Sequence, residues 1–133
     1  MSENTLDIKI LDEIITGRVA PHIYAFTTNT VPNYIKVGDT YRSVSKRLRE
    51  WSRYFPELEK AFEGKAIVDD DVYFRDYSVH QFLEQDLNKQ RLEISDIKPG
   101  TYFSKEFFRD TTSAHIEDAI IDIIEQYKDN SGK

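Results

Sequence analysis

The sequence predicts an α+β fold, a small domain in which a three-stranded, mostly antiparallel sheet is flanked by helices. Two short runs of aromatic and β-branched residues, separated by an Asn-rich turn, indicate a hairpin, and apolar residues at helical spacing precede and follow it. A chain of 133 residues can bury one modest core but not two. We therefore expect a single domain over residues 1–133.

The first predicted elements are a helix and a hairpin. Apolar residues recur at helical spacing within residues 5–17, and Gly17 would end this leading helix. Residues 23–28 alternate in the manner of a strand, residues 29–33 have the composition of a turn, and residues 34–39 return as a second strand. The two strands should pair antiparallel.

Helices dominate the remainder of the chain. A helical stripe over residues 44–55, less regular at residues 54 and 55, ends before Pro56, because the residue that precedes a proline avoids the α conformation. The apolar pattern predicts a third strand at residues 66–68, a second main helix over residues 74–90 and a last helix over residues 113–127.

Two segments lack a regular pattern. Residues 91–112 form a long stretch with Pro99-Gly100 at its centre, and a loop of this length usually carries function or is disordered. Residues 128–133 are polar and should form a frayed tail.

Composition and charge restrict the classes of function. A net charge of −6 and a pI of about 5.1 argue against a protein that coats nucleic acid indiscriminately. Between Lys36 and Arg53, however, six basic residues stand against two acidic ones, which is a local excess of four positive charges. The chain can therefore present one basic face. The alternative interpretation is a helix whose Arg and Lys side chains are simply solvated.

The sequence also indicates the compartment. It contains no cysteine, which excludes disulfides, thiol catalysis and Cys-ligated zinc. It has no apolar run of about 18 residues and no N-terminal pattern of a secretion signal. We therefore expect a cytoplasmic protein that does not contact a membrane.

Short motifs occur in a characteristic order along residues 22–124. The first strand carries His22-Ile23-Tyr24 and the second carries Ile35-Lys36-Val37-Gly38. The first main helix carries Lys46-Arg47-Leu48, the second carries Asp76 with His80, and the closing element is Glu106-Phe107-Phe108. These motifs resemble those of the GIY-YIG nuclease superfamily. His22 stands where the family has glycine. Lys36 stands where the family has a second tyrosine, and this is similar to a variant branch found in phage reading frames.

The resemblance implies a metal-dependent endonuclease that hydrolyses DNA phosphodiester bonds in a restriction, mobile-element or repair system. Such a reaction needs a base that activates water. Tyr34 and Lys36 lie two residues apart on one strand and share a face, which Tyr24 on the partner strand could meet. Tyr24, Tyr34 and a deprotonated Lys36 are therefore the candidate bases. Outside this context, a strand tyrosine usually packs as an aromatic and a strand lysine usually lies at an edge.

The first main helix would hold the DNA phosphate. The resemblance assigns this role to Arg47, and a guanidinium suits it because its planar donors engage two phosphate oxygens and keep their charge. Arg42 and Lys46 would contact the substrate beside it. Trp51 would either stack on the nucleic acid or pack in the core, and we favour packing.

The second main helix would hold the metal. Asp76 stands where the family has a glutamate, and His80 lies one turn later on the same helical face, where it would orient the metal or the attacking water. The ion would be Mg²⁺ or Mn²⁺. Residues 69–71 are three consecutive aspartates and form a rival ligand set, although such a run is more typical of a solvated turn. Glu106 is a further acid that would support the site.

The resemblance makes DNA the expected partner. A domain with one site cuts one strand at a time, so double-strand cleavage would require a homodimer, and a larger nuclease or helicase assembly is the other expected partner. The alternative function is a catalytically weak or inactive DNA-binding or docking module on the same scaffold. For a nuclease, we expect Tyr24, Lys36, Arg47 and Asp76 to converge on one concave surface.

Overall fold

A computed structural model of the chain describes residues 20–70 and 72–131. The leading helix predicted at residues 5–17 lies outside the described residues. No helix in the described part of the chain has both the length and the apolar character needed to cross a membrane.

The predicted α+β class is confirmed, with an antiparallel sheet of four strands instead of three. In chain order the strands are β1 (His22–Thr27), β2 (Tyr34–Thr40), β3 (Glu59–Lys65) and β6 (Phe107–Arg109), and they lie side by side in the order β3-β1-β2-β6. The predicted hairpin is therefore the centre of the sheet. The strand β6 was missed because it is only three residues long and lies in the stretch that lacks a regular pattern.

The prediction that residues 66–68 form the third strand of the central sheet is wrong. Residues Ile67–Asp69 form β4, which pairs with β5 (Val72–Tyr73) in a separate two-stranded ladder. The sheet's own third strand, β3, comes earlier and reads EKAFEGK, a charged segment without clear alternation. It is an edge strand, where charged side chains are common because they discourage pairing with other chains.

Among the described residues, three α-helices flank the sheet: α1 (Val44–Trp51), α2 (Asp76–Gln81) and α3 (Ser113–Ser131). The first ends at Trp51, before the less regular positions 54 and 55 of the predicted stripe. The Ser43 side chain accepts a hydrogen bond from the Lys46 amide and caps the start of α1. The last helix continues past residue 127 into the segment that was expected to fray.

The second main helix is shorter than the predicted 74–90. It widens after α2 into one π-helical turn over Phe82–Asp86, and Asn88 then adopts a left-handed conformation with φ of 57°. A left-handed residue ends a helix, and asparagine tolerates that conformation better than most side chains. Within the irregular stretch 91–112, residues Ile94–Asp96 form a single 3₁₀ turn.

The sheet buries both of its faces, and alternation along β1 and β2 separates two clusters. One face packs against α2 and α3 through Ile23, Ala25, Ile35, Val37, Val79, Leu83 and Ile116. The other face packs against α1 and the segment after it through Tyr24, Phe26, Val44, Trp51, Phe55 and Phe107. Lys36 and Gly38 share this second, aromatic face because side chains two residues apart point the same way.

Residue 38 must be glycine because the side chains of Tyr24 and Lys36 approach its Cα closely. It lies directly opposite Tyr24 in the β1–β2 ladder. A Cβ atom at residue 38 would stand 2.6 Å from the Tyr24 hydroxyl oxygen and 3.0 Å from Lys36 Nζ. Both side chains are fully buried, so neither can move aside without disturbing the core. The glycine thus makes room for the tyrosine and the lysine.

We predict that Gly38→Ala destabilises the fold by about 1–3 kcal/mol, the usual cost of overpacking a closed core. Gly64→Ala in β3 is the matched control. Its new Cβ would lie 3.2 Å from an atom of the partly exposed Phe62 ring, which can shift, so we expect a loss of less than about 1 kcal/mol. Urea unfolding of both variants would measure this difference, and equal stabilities would contradict the close approach at Gly38.

Candidate active site

A buried lysine lies at the centre of the site. Lys36 on β2 has no solvent exposure, and its Nζ atom lies 2.6 Å from Glu106 Oε1. The ammonium also lies 4.3 Å from the centre of the Trp51 ring. A buried ammonium is tolerated only when it is paired, and here the Glu106 carboxylate and the face of the Trp51 ring are its partners.

Tyr24 on β1 lies beside this lysine, under the same tryptophan. Its hydroxyl oxygen accepts a hydrogen bond of 2.7 Å from Trp51 Nε1, and Lys36 Nζ lies 5.4 Å from the centre of its ring. Tyr24 is only 1% exposed and Trp51 only 9%. Trp51 therefore packs, as favoured from the sequence, and covers the tyrosine.

Arg47 on α1 reaches the outer side of this group. Its Nη1 atom donates a 2.8 Å hydrogen bond to Glu50, and its guanidinium carbon lies 5.4 Å from the centre of the Trp51 ring. Burial lowers the pKa of Arg47, but hydrogen bonds with Glu50 and Tyr24 outweigh burial and raise the pKa above its ordinary value. The Arg47 side chain is 35% exposed, so its positively charged guanidinium, oriented by Glu50, faces solvent.

Three possible metal ligands lie next to the lysine. One ligand atom from each of Asp76, His80 and Glu106 lies within 4.8 Å of the other two. Asp76 and His80 lie one turn apart on α2, and Glu106 directly precedes β6. The backbone oxygen of Glu106 accepts a hydrogen bond from the Val37 amide, which fixes this residue beside β2. Carboxylate oxygen and imidazole nitrogen together form a donor set that suits a divalent cation.

A backbone contact sets the tautomer of His80. Its Nε2 atom lies 2.7 Å from the carbonyl oxygen of Val37. A carbonyl only accepts, so Nε2 carries the proton and Nδ1 keeps the lone pair that a metal would use. Burial lowers the pKa of His80, more than the hydrogen bond to Val37 raises it. The ring is therefore neutral at physiological pH, which is the form that binds metals.

Asp76 holds its proton unusually tightly. Burial, followed by the nearby negative charges of Asp39 and Glu106, raises its pKa from 3.8 to about 7. A bound cation would stabilise the ionised form of Asp76, because its positive charge offsets both the burial and the negative charges of Asp39 and Glu106. The residues present thus fit a divalent metal by donor type, by spacing and by electrostatics.

Sequence reasoning missed two residues that hold Asp76 in place. Asp39 Oδ2 accepts hydrogen bonds from Arg75 Nε at 2.7 Å and from the Asp76 backbone amide at 2.9 Å. The first turn of α2 is thereby fixed to the end of β2. Asp39 follows Gly38 and Arg75 precedes Asp76, but their side chains are 36 residues apart in sequence, so no local pattern signals the pair.

The structure brings together most of the predicted site residues but leaves others outside. Tyr34, one of the candidate bases, is partly buried against the aromatic cluster and lines a depression beside the hairpin turn with Thr28 and Glu57. Asp69 and Asp70 are exposed and do not belong to the group of possible ligands, and Asp71 lies outside the described residues.

Substrate contacts were predicted for two further side chains of the α1 segment. Arg42 and Lys46 are exposed, and Arg42 forms an ion pair of 2.9 Å with Glu50. Of the four side chains expected on one concave surface, Tyr24 and Lys36 are almost completely buried. The other two, Arg47 and Asp76, are partly exposed.

Comparison with known protein families shows the family to which the chain belongs. Residues 21–128 match the T5orf172 domain, so the chain belongs to the T5orf172 domain family, which is nuclease-like and phage-associated. No curated protein and no solved structure matches the chain. The finer GIY-YIG assignment and the variant branch with Lys36 stay predictions.

We predict that the unfolding free energy of the metal-free protein carries a pH-dependent contribution from Asp76. Its folded-state pKa is raised, so the folded state binds the proton more tightly, and this contribution is complete below pH 3.8 and lost as the pH rises to about 7. The loss is about 4 kcal/mol at most. Asp76→Asn cannot titrate and should remove this part of the dependence.

Urea unfolding of both proteins in chelator, between pH 4 and pH 8, would measure the difference. The variant should gain stability relative to the wild type as the pH rises, because asparagine avoids the buried charge. His80 is present in both proteins, so its own titration largely cancels. Parallel pH profiles would show that Asp76 does not carry the raised pKa.

Proposed function

We propose that this member of the T5orf172 domain family is a divalent-metal-dependent endonuclease that hydrolyses DNA phosphodiester bonds. One observation carries the proposal: Lys36 joins the two halves of a possible nuclease site. Its ammonium binds Glu106 of the metal-ligand group and lies under the same Trp51 ring that Arg47 contacts. A held guanidinium and a set of metal ligands are the groups that phosphodiester hydrolysis requires.

Arg47 would contact the scissile phosphate. Its guanidinium is partly exposed, permanently charged and oriented by Glu50, so binding a phosphate there costs little reorganisation. Arg42 and Lys46 are exposed near it and would contact neighbouring phosphates of the DNA backbone.

Asp76, His80 and Glu106 would hold Mg²⁺ or Mn²⁺. When bound, the ion supplies Lewis-acid stabilisation of the charge that develops on the phosphate. The imidazole among these ligands favours Mn²⁺, since Mg²⁺ prefers an all-oxygen set. Lys36 acts through Glu106: it is a positioning residue that holds one carboxylate oxygen and leaves the other oxygen for the ion.

In its phenolate form, Tyr24 would accept the proton of the attacking water and become the neutral phenol. Its oxygen receives a hydrogen bond from Trp51 and interacts with Arg47, so the groups around it stabilise a negative charge there. Lys36 is less suited to this role because its side-chain nitrogen is already engaged by Glu106 and lies against the Trp51 ring.

A second candidate function is a DNA-binding or docking module that does not cleave. The observation that favours it is burial: Tyr24 is 1% exposed and Lys36 is 0% exposed, so neither reaches solvent in this conformation. Cleavage requires that Trp51 shift when DNA binds. Apo catalytic sites often tighten or open only with substrate, which keeps the nuclease as the first proposal.

We predict that the chain nicks supercoiled plasmid DNA when Mn²⁺ or Mg²⁺ is present, and that Arg47→Ala lowers the rate about 100-fold or more through the loss of charge stabilisation. Arg49→Ala, an exposed arginine of the same helix, is the matched control and should stay within about threefold of the wild type.

Asp76→Asn should abolish nicking while the protein stays folded by circular dichroism, because a ligand is lost but packing is not. Conversion of supercoiled to open-circular DNA measures all four proteins. Undiminished nicking by Arg47→Ala would overturn the assigned phosphate site. Absence of nicking by the wild type with either metal, while DNA still binds, would favour the docking module.

A further prediction concerns the base. Tyr24→Phe should be inactive because phenylalanine lacks the hydroxyl that would serve as the base. Lys36→Arg should be partly active because arginine keeps the positive charge beside Glu106. Since arginine cannot serve as a base, this variant also tests whether Lys36 does. In the wild type the rate should rise toward alkaline pH. Plasmid nicking between pH 6 and pH 9 would separate the roles, and an active Tyr24→Phe beside an inactive, folded Lys36→Arg would transfer the base to Lys36.

A further inference from the structure

Two tyrosines at the edge of the site stack on each other while remaining exposed. The ring centres of Tyr54 and Tyr102 lie 4.2 Å apart, with an angle of 26° between the ring planes. Tyr54 is 50% exposed and Tyr102 is 42% exposed. Packing energy usually drives such rings into the core, so an exposed stacked pair indicates a surface that binds something.

The pair adjoins the proposed phosphate site. Tyr102 meets the Trp51 ring edge-on at 5.6 Å, and Arg47 lies on that same tryptophan. Together with Arg53, these side chains line a cavity of about 340 Å³. This volume lies within the range of about 300–1,000 Å³ that is usual for small-ligand sites, so it can admit one nucleotide.

The charges of this cavity suit a nucleic acid. Arg47 and Arg53 contribute two positive charges, and Glu50 is the acidic residue in the lining. Glu50 forms ion pairs with both Arg42 and Arg47, which compensate its negative charge. Aromatic faces beside arginines bind unpaired bases, since every base offers a π-face and the arginines hold the backbone.

The two tyrosines come from separate segments. Tyr54 follows α1, which carries Arg47, and Tyr102 lies in the stretch 91–112, whose length indicated a functional loop. This loop brings an aromatic ring to the helix that holds the phosphate. The arrangement thus places a stacking surface and a cationic group in one cavity.

We propose that Tyr54 and Tyr102 form a stacking platform for an unpaired nucleobase next to the phosphate that Arg47 binds, so that the preferred substrate is single-stranded or locally unpaired DNA. A duplex hides its base faces within its own stack, and only an unpaired or flipped base can present a face to the tyrosines. The position relative to the cleaved bond rests on the proposed function, whereas base stacking itself does not require cleavage.

Binding of fluorescent DNA to the full chain in chelator tests the platform without cleavage. The probes are a single strand, a duplex of the same sequence, and that duplex with a short bulge. The wild type should bind the single strand and the bulge at least about tenfold more tightly than the duplex. Tyr54→Ala and Tyr102→Ala should each weaken single-strand binding about tenfold and duplex binding by less than about twofold.

Matched variants separate stacking from loss of structure. Tyr54→Phe keeps the ring and should bind within about twofold of the wild type. Tyr54→Leu keeps apolar bulk without the ring and should behave as the alanine variant does, which covers the case in which alanine disturbs the fold. Ile121→Ala, a 53% exposed apolar side chain on α3, is the control for losing surface area elsewhere and should have no effect.

A 2-aminopurine base in the single strand reports stacking directly. Its fluorescence should be quenched by the wild type and by Tyr54→Phe, and much less by Tyr54→Leu. Equal affinity of the wild type and the alanine variants for single strands, or equal losses on single strand and duplex, would overturn the platform. Platform binding without any nicking by the wild type would reject the proposed cleavage while leaving the platform standing.

Discussion

A buried ammonium needs a partner, and in this chain Glu106 provides it for Lys36 at 2.6 Å. Removing Glu106 would leave the ammonium of Lys36 buried and unpaired, which is far costlier than losing a surface ion pair. The pair joins the central hairpin to the segment before β6. It also places the Glu106 carboxylate beside Asp76 and His80, so the contact that stabilises the fold assembles the candidate metal ligands.

Burial and neighbouring carboxylates together explain the electrostatics of these ligands. Burial raises the pKa of Asp76 most, and the negative charges of Asp39 and Glu106 raise it further, to about 7. Lys36 and Arg75 offset part of the negative charge, but not enough to ionise Asp76 at lower pH. Asp39 also fixes the first turn of α2, so the geometry of the site comes with an electrostatic cost that a cation would relieve.

Trp51 connects the remaining parts. Its ring covers Lys36, and its Nε1 atom donates a hydrogen bond to Tyr24. The same ring also contacts Arg47 and Tyr102. One side chain thus separates a buried polar layer from an exposed surface of arginines and stacked tyrosines. The proposed chemistry and the proposed base stacking meet at this ring, and movement of Trp51 would couple the binding of DNA to access to Tyr24.

The sequence by itself determined the α+β class, the hairpin and the shared face of Lys36 and Gly38, because strand alternation is a local property. Helical spacing likewise placed Asp76 one turn from His80. Only the tertiary structure decided that Glu106 pairs with Lys36 across 70 residues, that Asp39 fixes α2, and that Trp51 buries Tyr24. Pairing and burial at these positions depend on how distant segments pack, and a periodic pattern carries no information about which segments meet.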